Sequence, residues 1–257
     1  MTDDALFYGT HITKVFGTHT ALSDVSFAVR AGKTLGIVGE SGSGKSTLGK
    51  IALRLLRPND GEVYYQGYPI WGMTPTQIRD MRLHVQLIPQ DPKNALNPAK
   101  TVAQTLYFHM AAQRVPKEER HRLAVDSLSK VSIGDEYLDA YPSELSGGQA
   151  QRVVIAQAIS SKPDVLVCDE AVSSLDKSVQ AQVLNTLCAL QQEMGLSLFF
   201  ITHDLNVVDY MCDDILVLND GSTVESGDAR HVLDDPSDPY TRELLTAKTQ
   251  AIHESEL

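Results

Sequence analysis

The sequence predicts an α/β fold in which helices cover a mostly parallel sheet. Three observations indicate this fold. In the second half of the chain, apolar segments of strand length alternate with helical segments, as in βαβ units. In the first half, a predicted strand runs directly into a glycine-rich loop and then a helix. Short β segments precede that strand, and the middle of the chain is helical with few strand formers.

Each predicted element follows from residue type and spacing. Strands are predicted at 6–10, 26–29, 34–38, 62–65, 85–88, 165–168, 197–201 and 215–218. Helices are predicted at 46–56, within 101–132, and at 147–160, 178–194 and 205–211. The first helix is expected to end before Arg57, because Pro58 and Gly61 are strong stop signals. The helical block in the middle predicts an inserted α-helical subdomain beside an N-terminal β subdomain.

Composition narrows the class of protein. The 257 residues suffice for one large domain or two small ones, and 42% hydrophobic with 21% charged residues is a globular profile. A net charge of −11 argues against a duplex-binding protein, which needs a basic face. No apolar run reaches the roughly 18 to 20 residues that span a bilayer, and the N-terminus lacks the basic region of a secretory signal. Membrane association is therefore expected to come through a partner.

A phosphate-binding loop is predicted after the strand at 34–38. It consists of Gly39, Glu40, Ser41, Gly42, Ser43, Gly44, Lys45 and Ser46, which fits GxxxxGK[ST]. The glycines allow backbone N–H groups to surround a β-phosphate, and the helix N-terminus adds partial positive charge. Lys45, a predicted catalytic residue, would reach the β- and γ-phosphates, and the Ser46 hydroxyl would bind Mg²⁺. Thr47, which follows Ser46, completes the loop segment of the predicted nucleotide site.

The strand at 165–168 predicts the second half of the site. It ends at Asp169 and Glu170, which places two carboxylates at the carboxyl edge of a sheet, where α/β proteins bind ligands. Asp169 would hold Mg²⁺ as the Walker-B acid, and Glu170 could orient and deprotonate the attacking water. Standing alone, this motif would be two acids at an ordinary strand end. Together, the two motifs predict NTP and Mg²⁺ binding but not what the hydrolysis drives.

A second glycine-rich helix start narrows the family. It reads Leu145, Ser146, Gly147, Gly148 and Gln149, and by itself it could be an ordinary helix N-cap at Ser146. The pentapeptide coincides with the ABC signature LSGGQ, and the sequence resembles the ABC-transporter ATPases over nearly its whole length and in motif order. The fold that this resemblance implies is the P-loop NTPase fold of the ABC ATPases.

The resemblance implies further site residues. Gln90 resembles the Q-loop glutamine, Asp176 the D-loop aspartate and His203 the switch histidine. Phe16 occupies the position of the aromatic that stacks on adenine. In the family's arrangement Glu170 is the base, His203 contacts the γ-phosphate, and Gln90 binds Mg²⁺ and links nucleotide sensing to the membrane partner. Without the resemblance, His203 would be an ordinary strand-end histidine.

The resemblance also implies a head-to-tail dimer of ATPase domains. Each ATP would lie between the phosphate-binding loop of one subunit and the signature of the other. The residues acting in trans would be Ser146, Gly147, Gly148, Gln149 and Asp176. A heterodimer with a paralogue is expected, with a homodimer as the alternative. Two transmembrane permease subunits and, indirectly, an extracytoplasmic solute-binding protein complete the assembly expected at the cytoplasmic face of the membrane, with no nucleic acid.

Within the family, the details resemble the importers of peptides and nickel. The segments that carry this resemblance are 96–98, 175–184, 224–227 and 235–245. Residues 171–174 read Ala-Val-Ser-Ser where Pro-Thr-Ser-Ala is commoner, and the chain ends without the cysteine-bearing extension of many oligopeptide-type subunits. Both departures weakly favour a metal or metal chelate over an oligopeptide. The predicted solute is therefore a peptide, nickel or a metal chelate.

The resemblance also predicts how the chain is divided. An ABC ATPase domain is expected at 1–247, with a catalytic core at 1–90 and 152–230. A helical subdomain is expected at 91–151, a short helical tail at 231–247 and a flexible tail at 248–257.

Two other functions remain open on the sequence alone. A soluble ABC ATPase acting on nucleic acid or ribosomes is the first, although the acidic charge and the absence of a coiled-coil insertion argue against it. A subunit of a soluble multi-enzyme complex is the second, and nothing in the sequence excludes it. A small nucleotide kinase is disfavoured, because the signature motif has no role in such an enzyme.

Overall fold

The computed structural model describes residues 5–246. The predicted flexible tail at 248–257 and residue 247 of the predicted helical tail lie outside the described residues. Within 5–246, no helix combines the length and apolar character that crossing a membrane requires.

The strands of the described chain include every segment that the sequence predicts as β. They are β1 (Ala5–Phe16), β2 (His19–Arg30), β3 (Thr34–Val38), β4 (Asp60–Tyr65), β5 (Tyr68–Pro69), β6 (Val85–Ile88), β7 (Val165–Asp169), β8 (Ser197–Ile201), β9 (Asp214–Asn219) and β10 (Ser222–Asp228). Strands β3, β6 and β8 have the predicted bounds, whereas β1 and β2 are much longer than predicted.

All of the helices in the described chain follow β3, and four of them lie in succession between β6 and β7. They are α1 (Lys45–Ala52), α2 (Pro75–His84), α3 (Pro92–Ala95), α4 (Val102–Ala112), α5 (Lys117–Lys130), α6 (Gly147–Ile159), α7 (Lys177–Met194), α8 (Leu205–Met211), α9 (Ala229–Asp234) and α10 (239–246). Short 3₁₀ turns lie at Ile70–Gly72, Asp135–Tyr137 and Pro142–Glu144.

The chain forms two compact units. The first comprises Met1–Ile78 and Ser197–Leu257, and the second comprises Arg79–Leu196. The predicted division into a core at 1–90 and 152–230, a helical subdomain at 91–151 and a tail stays a prediction.

The first unit contains two groups of strands. Strands β2, β1, β4 and β5 form an antiparallel sheet in that order. Strand β3 pairs in parallel with β8 on one side and β9 on the other, and β10 is antiparallel to β9. Aromatic side chains from both groups share one core, since Phe7 and Phe27 each contact Phe199 of β8 edge to face. Because β8 is the parallel neighbour of β3, this aromatic core lies beside the strand that precedes the phosphate-binding loop.

The second unit combines a parallel strand pair with a helical bundle. Strands β6 and β7 pair in parallel, and α6 contacts β6, α7 and the helices α4 and α5. Leu106 and Met110 of α4, Leu128 of α5 and Ile155 of α6 are fully buried. Helix α4 begins at Val102 because Thr101 and Gln104 form a reciprocal capping box.

The predicted α/β fold class is confirmed, but the predicted end of the first helix is wrong. Helix α1 ends at Ala52 rather than near Leu56. Arg54 adopts φ +58°, its N–H bonds to the Ile51 carbonyl, and the Leu55 N–H bonds to the Lys50 carbonyl. This is the hydrogen-bond pattern of a Schellman motif, which usually has glycine at the left-handed position. Because arginine occupies that position, residue type alone did not indicate the helix end.

Candidate nucleotide site

At two positions of the phosphate-binding loop, the backbone adopts a conformation that only glycine accommodates. Gly39 and Gly44 have φ values of +147° and +103°. A Cβ on Gly39 would lie 2.1 Å from the Leu218 carbonyl oxygen, and one on Gly44 would lie 2.6 Å from the Ala21 carbonyl oxygen. The loop therefore turns tightly against the neighbouring backbone and presents its amides at the start of α1.

Lys45 is held inside this loop. Its side chain is 5% exposed, and its ammonium group donates to the carbonyl oxygens of Gly39 at 2.7 Å and Glu40 at 2.6 Å. These bonds place a buried positive charge next to the loop amides. Ser46 follows in the first turn of α1 and is exposed. The loop thus offers a cation and a free helix N-terminus, which together suit a phosphate.

The first unit brings His203 to the same sheet edge as this loop. Strands β3 and β8 are parallel neighbours, with Ile37 opposite Ile201. The Thr202 N–H donates to the Ile37 carbonyl at 3.1 Å, so the chain after β8 stays close to the end of β3. His203 is exposed there. Asp204 fixes the turn after it by accepting the Asn206 N–H at 2.9 Å as the N-cap of α8.

Phe16 ends β1 with an exposed ring. Its exposed fraction is 47%, and the Lys14 ammonium lies 5.1 Å from the ring centroid. Lys14 is itself anchored, because it donates to the Arg57 carbonyl at 2.8 Å. An exposed aromatic ring is what stacking on adenine needs.

The second unit joins Gln90 directly to Glu170. The two residues follow the parallel neighbours β6 and β7, in which Ile88 lies opposite Cys168. The Gln90 side-chain amide donates to Glu170 Oε2 at 2.9 Å and lies 3.4 Å from Ser173 Oγ. In the sequence, Ser173 is distinguished only as part of the segment 171–174, and no local pattern indicates its contact with Gln90.

Glu170 has a strained backbone. Its φ of +49° is left-handed, which for a residue other than glycine costs about 1–2 kcal/mol. The Ser173 N–H at 3.1 Å and the Ser173 hydroxyl at 3.0 Å both donate to the Glu170 carbonyl and hold this turn. The strain redirects the chain just after β7, where the Glu170 side chain meets Gln90.

The oxygen donors of the predicted Mg²⁺ site suit that ion. Asp169 is the half-buried last residue of β7 and offers a carboxylate, and Ser46 offers a hydroxyl. Gln90 uses its amide nitrogen on Glu170, which leaves its side-chain oxygen to act as a ligand. Carboxylate, hydroxyl and amide oxygens are each ligands that Mg²⁺ accepts. The second unit offers the carboxylate and the amide oxygen, and the first unit offers the hydroxyl.

The signature residues form the N-terminus of α6. Ser146 Oγ accepts the Gln149 N–H at 3.2 Å, and Gln149 Oε1 accepts the Ser146 N–H at 2.9 Å. The ordinary N-cap is therefore present, and it leaves the first amides of α6 directed outward from the helix end. A Cβ on Gly148 would lie 2.3 Å from a methyl carbon of Val179, so glycine allows α6 to approach α7 closely.

Asp176 caps the neighbouring helix. Its carboxylate accepts the Val179 N–H at 3.0 Å and the Ser178 N–H at 3.1 Å at the start of α7. The bond from Val179, together with those from Ser178, holds the pKa of Asp176 below its usual value. A Cβ on Gly147 would be in ordinary contact with Leu175. The signature and the D-loop therefore lie side by side in the second unit.

The predicted site residues are divided between the two units. The first unit holds the loop at 39–47, Phe16 and His203. The second unit holds one group around Gln90, Asp169 and Glu170, and another at 146–149 with Asp176. One contact at the loop was not predicted. The Tyr240 hydroxyl accepts a hydrogen bond from the Glu40 N–H at 3.0 Å, although Tyr240 lies in the C-terminal segment, far from the loop in sequence.

The chain is similar to proteins of one family. The family model described as ABC transporter matches residues 22–173. The dipeptide transport ATP-binding protein DppF of Escherichia coli (strain K12) is 44% identical over 228 residues, covering 88% of this chain and 68% of DppF. A putative peptide import ATP-binding protein of Brucella ovis is 40% identical over 252 residues, covering 96% and 80% of the two chains.

Solved structures have the same architecture. The cbiO1 protein from Clostridium perfringens, described as part of the ABC transporter complex cbiONQ, has a TM-score of 0.83 at 25% identity and covers 99% and 100% of the two chains. A dimeric ATP-binding cassette in a post-hydrolysis state, bound to ADP and Pi, has a TM-score of 0.77 at 28% identity and covers 87% and 99%. The chain therefore belongs to the ABC transporter family, as one of its ATP-binding and ATP-hydrolysing subunits.

Proposed function

We propose that the chain is the motor subunit of an importer for peptides and that the residue groups described above form its catalytic site. Binding ATP and hydrolysing it to power transport are properties of the family. The solute, the metal, the partners and the role of each residue are the proposal. The observation that carries this proposal is the hydrogen bond between Gln90 and Glu170. This bond joins Gln90, the proposed link to the membrane partner, to Glu170, the proposed base.

The phosphates would bind at the loop of the first unit. Lys45 would share its ammonium protons with the β- and γ-phosphate oxygens, and the amides at 42–46 would surround the β-phosphate. Phe16 would stack on the adenine ring. Ser46, Asp169 and Gln90 would hold Mg²⁺, which when bound neutralises phosphate charge that develops in the transition state.

Hydrolysis would need a base directed at the attacking water. The strained turn at Glu170 and its bond from Gln90 fix the direction of this carboxylate before nucleotide arrives. Glu170 would take a proton from the attacking water, and His203 would donate a hydrogen bond to a γ-phosphate oxygen. Each of the two side chains follows the end of a strand in its own unit, Glu170 after β7 and His203 after β8.

The signature and D-loop would act on the nucleotide of a partner subunit. The outward-directed amides at the start of α6, beside Ser146, suit a γ-phosphate. A head-to-tail dimer follows, with a paralogous ATPase or a second copy as the partner. Two transmembrane permease subunits, fed by an extracytoplasmic solute-binding protein, would hold the dimer at the cytoplasmic face of the cell membrane.

The names of the relatives favour peptides as the solute. The Escherichia coli relative is called a dipeptide transport protein, and the Brucella ovis relative a putative peptide import protein. The unusual Ala-Val-Ser-Ser sequence at 171–174 makes nickel or a metal chelate the alternative solute.

The assembly is tested by purifying the tagged chain from detergent-solubilised native membranes and identifying the proteins that accompany it. Recovery of two permease subunits and an ATPase subunit is the expected result. Recovery of ribosomes, nucleic-acid factors or soluble enzymes alone would leave the ATPase chemistry intact and overturn the importer assignment.

The solute is tested in a strain that lacks this chain. Uptake of a radiolabelled dipeptide should fall and return with the wild-type chain but not with Lys45→Ala. Loss of nickel uptake with unchanged dipeptide uptake would instead assign a metal or metal-chelate importer.

A further inference from the structure

The C-terminal segment of the first unit reaches the phosphate-binding loop. Tyr240, in the first turn of α10, directs its hydroxyl at the backbone of Glu40, whose N–H donates to it at 3.0 Å. The two residues are 200 positions apart. The proposed ATP site does not otherwise use this part of the chain.

The same peptide group also receives Lys45. The Glu40 N–H belongs to the peptide between Gly39 and Glu40, and the carbonyl of that peptide is the Gly39 oxygen that accepts the Lys45 ammonium at 2.7 Å. One peptide plane therefore connects the tyrosine hydroxyl to the lysine ammonium. Hydrogen bonds arranged in such a chain polarise one another, so each strengthens the next. A Cβ on Gly39 would lie 2.1 Å from the Leu218 carbonyl oxygen, so the backbone of Gly39 lies close to β9.

The tyrosine ring is firmly anchored. The ring packs against the apolar cluster of the first unit, which includes Val38 and Val217. Upstream, Glu225 accepts the Ser237 N–H at 2.7 Å and the Asp238 N–H at 3.2 Å. These contacts fix the hydroxyl where the loop begins.

The hydroxyl is kept neutral at its position. Burial raises the pKa of Tyr240, and the hydrogen bond from the Glu40 N–H acts against it by lowering this pKa. The negative charges of Glu40, Asp220 and Glu243 raise the pKa further, so the net shift is upward. A neutral hydroxyl accepts the amide hydrogen while keeping its own hydrogen, and the raised pKa keeps this neutral form present at neutral pH.

We propose that Tyr240 is a positioning residue for ATP binding, whose hydroxyl holds the Gly39–Glu40 peptide that in turn holds the Lys45 ammonium. The C-terminal segment thereby sets the geometry of the phosphate-binding loop. This inference rests on the proposed role of Lys45 at the nucleotide phosphates.

The test compares Tyr240→Phe with the wild-type full chain. Phenylalanine keeps the ring in the apolar cluster and removes only the hydroxyl. The loss of one hydrogen bond predicts about three- to tenfold weaker Mg·ATP binding, measured by calorimetry in a Glu170→Gln background that slows turnover. In the assembled transporter, KM for ATP should rise by a similar factor while kcat stays within about twofold.

Three controls separate the possible results. Tyr68→Phe removes an exposed hydroxyl elsewhere in the unit and should bind ATP as the wild type does. If Tyr240→Phe binds normally while Tyr240→Ala binds weakly, only ring packing matters and the inference is wrong. If Lys45→Ala also binds normally, the proposed phosphate site itself fails, which is a different result from failure of Tyr240→Phe alone.

Discussion

The side-chain amide of Gln90 donates a hydrogen bond to Glu170 Oε2 over 2.9 Å. This bond connects two neighbouring parallel strand ends of the second unit, and Ser173 supports it by bonding the Glu170 carbonyl. A change at Gln90 therefore reaches the proposed base without passing through the nucleotide. The proposed sensor and the proposed base are therefore one hydrogen-bonded pair.

Glu170→Gln should preserve ATP binding and slow hydrolysis by about 10²- to 10⁴-fold, because the amide cannot accept the proton of the attacking water. The closed dimer should accumulate with ATP and be visible as a shift in elution volume. Glu118→Gln, an exposed residue in the first turn of α5, is the matched control. Unchanged turnover in Glu170→Gln would remove this residue from the role of base.

Gln90 and Glu170 should act as one unit in a double-mutant cycle. Gln90→Ala alone is expected to lower kcat about tenfold, since the carboxylate loses the bond that directs it. In the Glu170→Gln background the same change should have little further effect, because the base is already absent. Steady-state ATPase rates of the four proteins measure the coupling, and simple additivity would show that the bond is not used in catalysis.

Ser146→Arg should leave ATP binding to the isolated subunit nearly intact and abolish hydrolysis that depends on the dimer. The arginine would fill the space at the start of α6 where the proposed partner nucleotide lies. Ser129→Arg, at an exposed position near the end of α5, is the control for the added bulk and charge. Normal turnover in Ser146→Arg, with both composite sites tested, would contradict the trans arrangement.

Gly148→Ala should lower the free energy of unfolding by about 1–3 kcal/mol, because the new Cβ would lie 2.3 Å from a Val179 methyl carbon. Gly147→Ala is the matched control, since its Cβ would meet Leu175 at an ordinary 3.6 Å. Adding Val179→Ala should recover part of the loss. Urea unfolding measures all of these variants, and equal stability of the two alanine variants would show that α6 and α7 are not closely packed.

The elements that position the site could be predicted where their determinants are local. Strand β3 and the loop after it are specified by a short apolar run followed by spaced glycines. Strand β1 extends to Phe16, whereas the sequence predicts its end at Thr10. Its second half pairs with β2 in an irregular register around Ile12, and His11 adopts φ +54°. A strand with such bulges has no regular alternation for the sequence to reveal.

The contacts that complete the site could not be predicted, because they join distant parts of the chain. Gln90 and Glu170 are each identifiable from their motifs, but their hydrogen bond depends on the parallel pairing of β6 with β7. The contact of Tyr240 with Glu40 depends on the packing of the C-terminal segment against the first unit. Neither the pairing nor the packing leaves a periodic pattern in the sequence.

The second unit should lose stability as pH falls below about 6.5, the usual histidine value, because of His109. Burial lowers the pKa of His109, and within residues 5–246 its Nε2 has no hydrogen-bond partner. The unfolded chain therefore binds a proton at a higher pH than the folded chain, so acid favours unfolding. This stability is fully present above the unfolded pKa and is lost as pH falls toward the folded pKa.

His109→Leu tests this prediction, because leucine keeps apolar contacts in α4 and removes the titration. The wild-type thermal midpoint should fall more between about pH 7.5 and pH 5.5 than that of His109→Leu. His19→Gln, at an exposed position at the start of β2, should follow the wild type. Equal pH dependence of the thermal midpoint in wild type and His109→Leu would assign the acid sensitivity to other groups. A thermal midpoint that changes less with pH in His109→Leu would show that the buried neutral imidazole of His109 limits the pH range in which this ATPase stays folded.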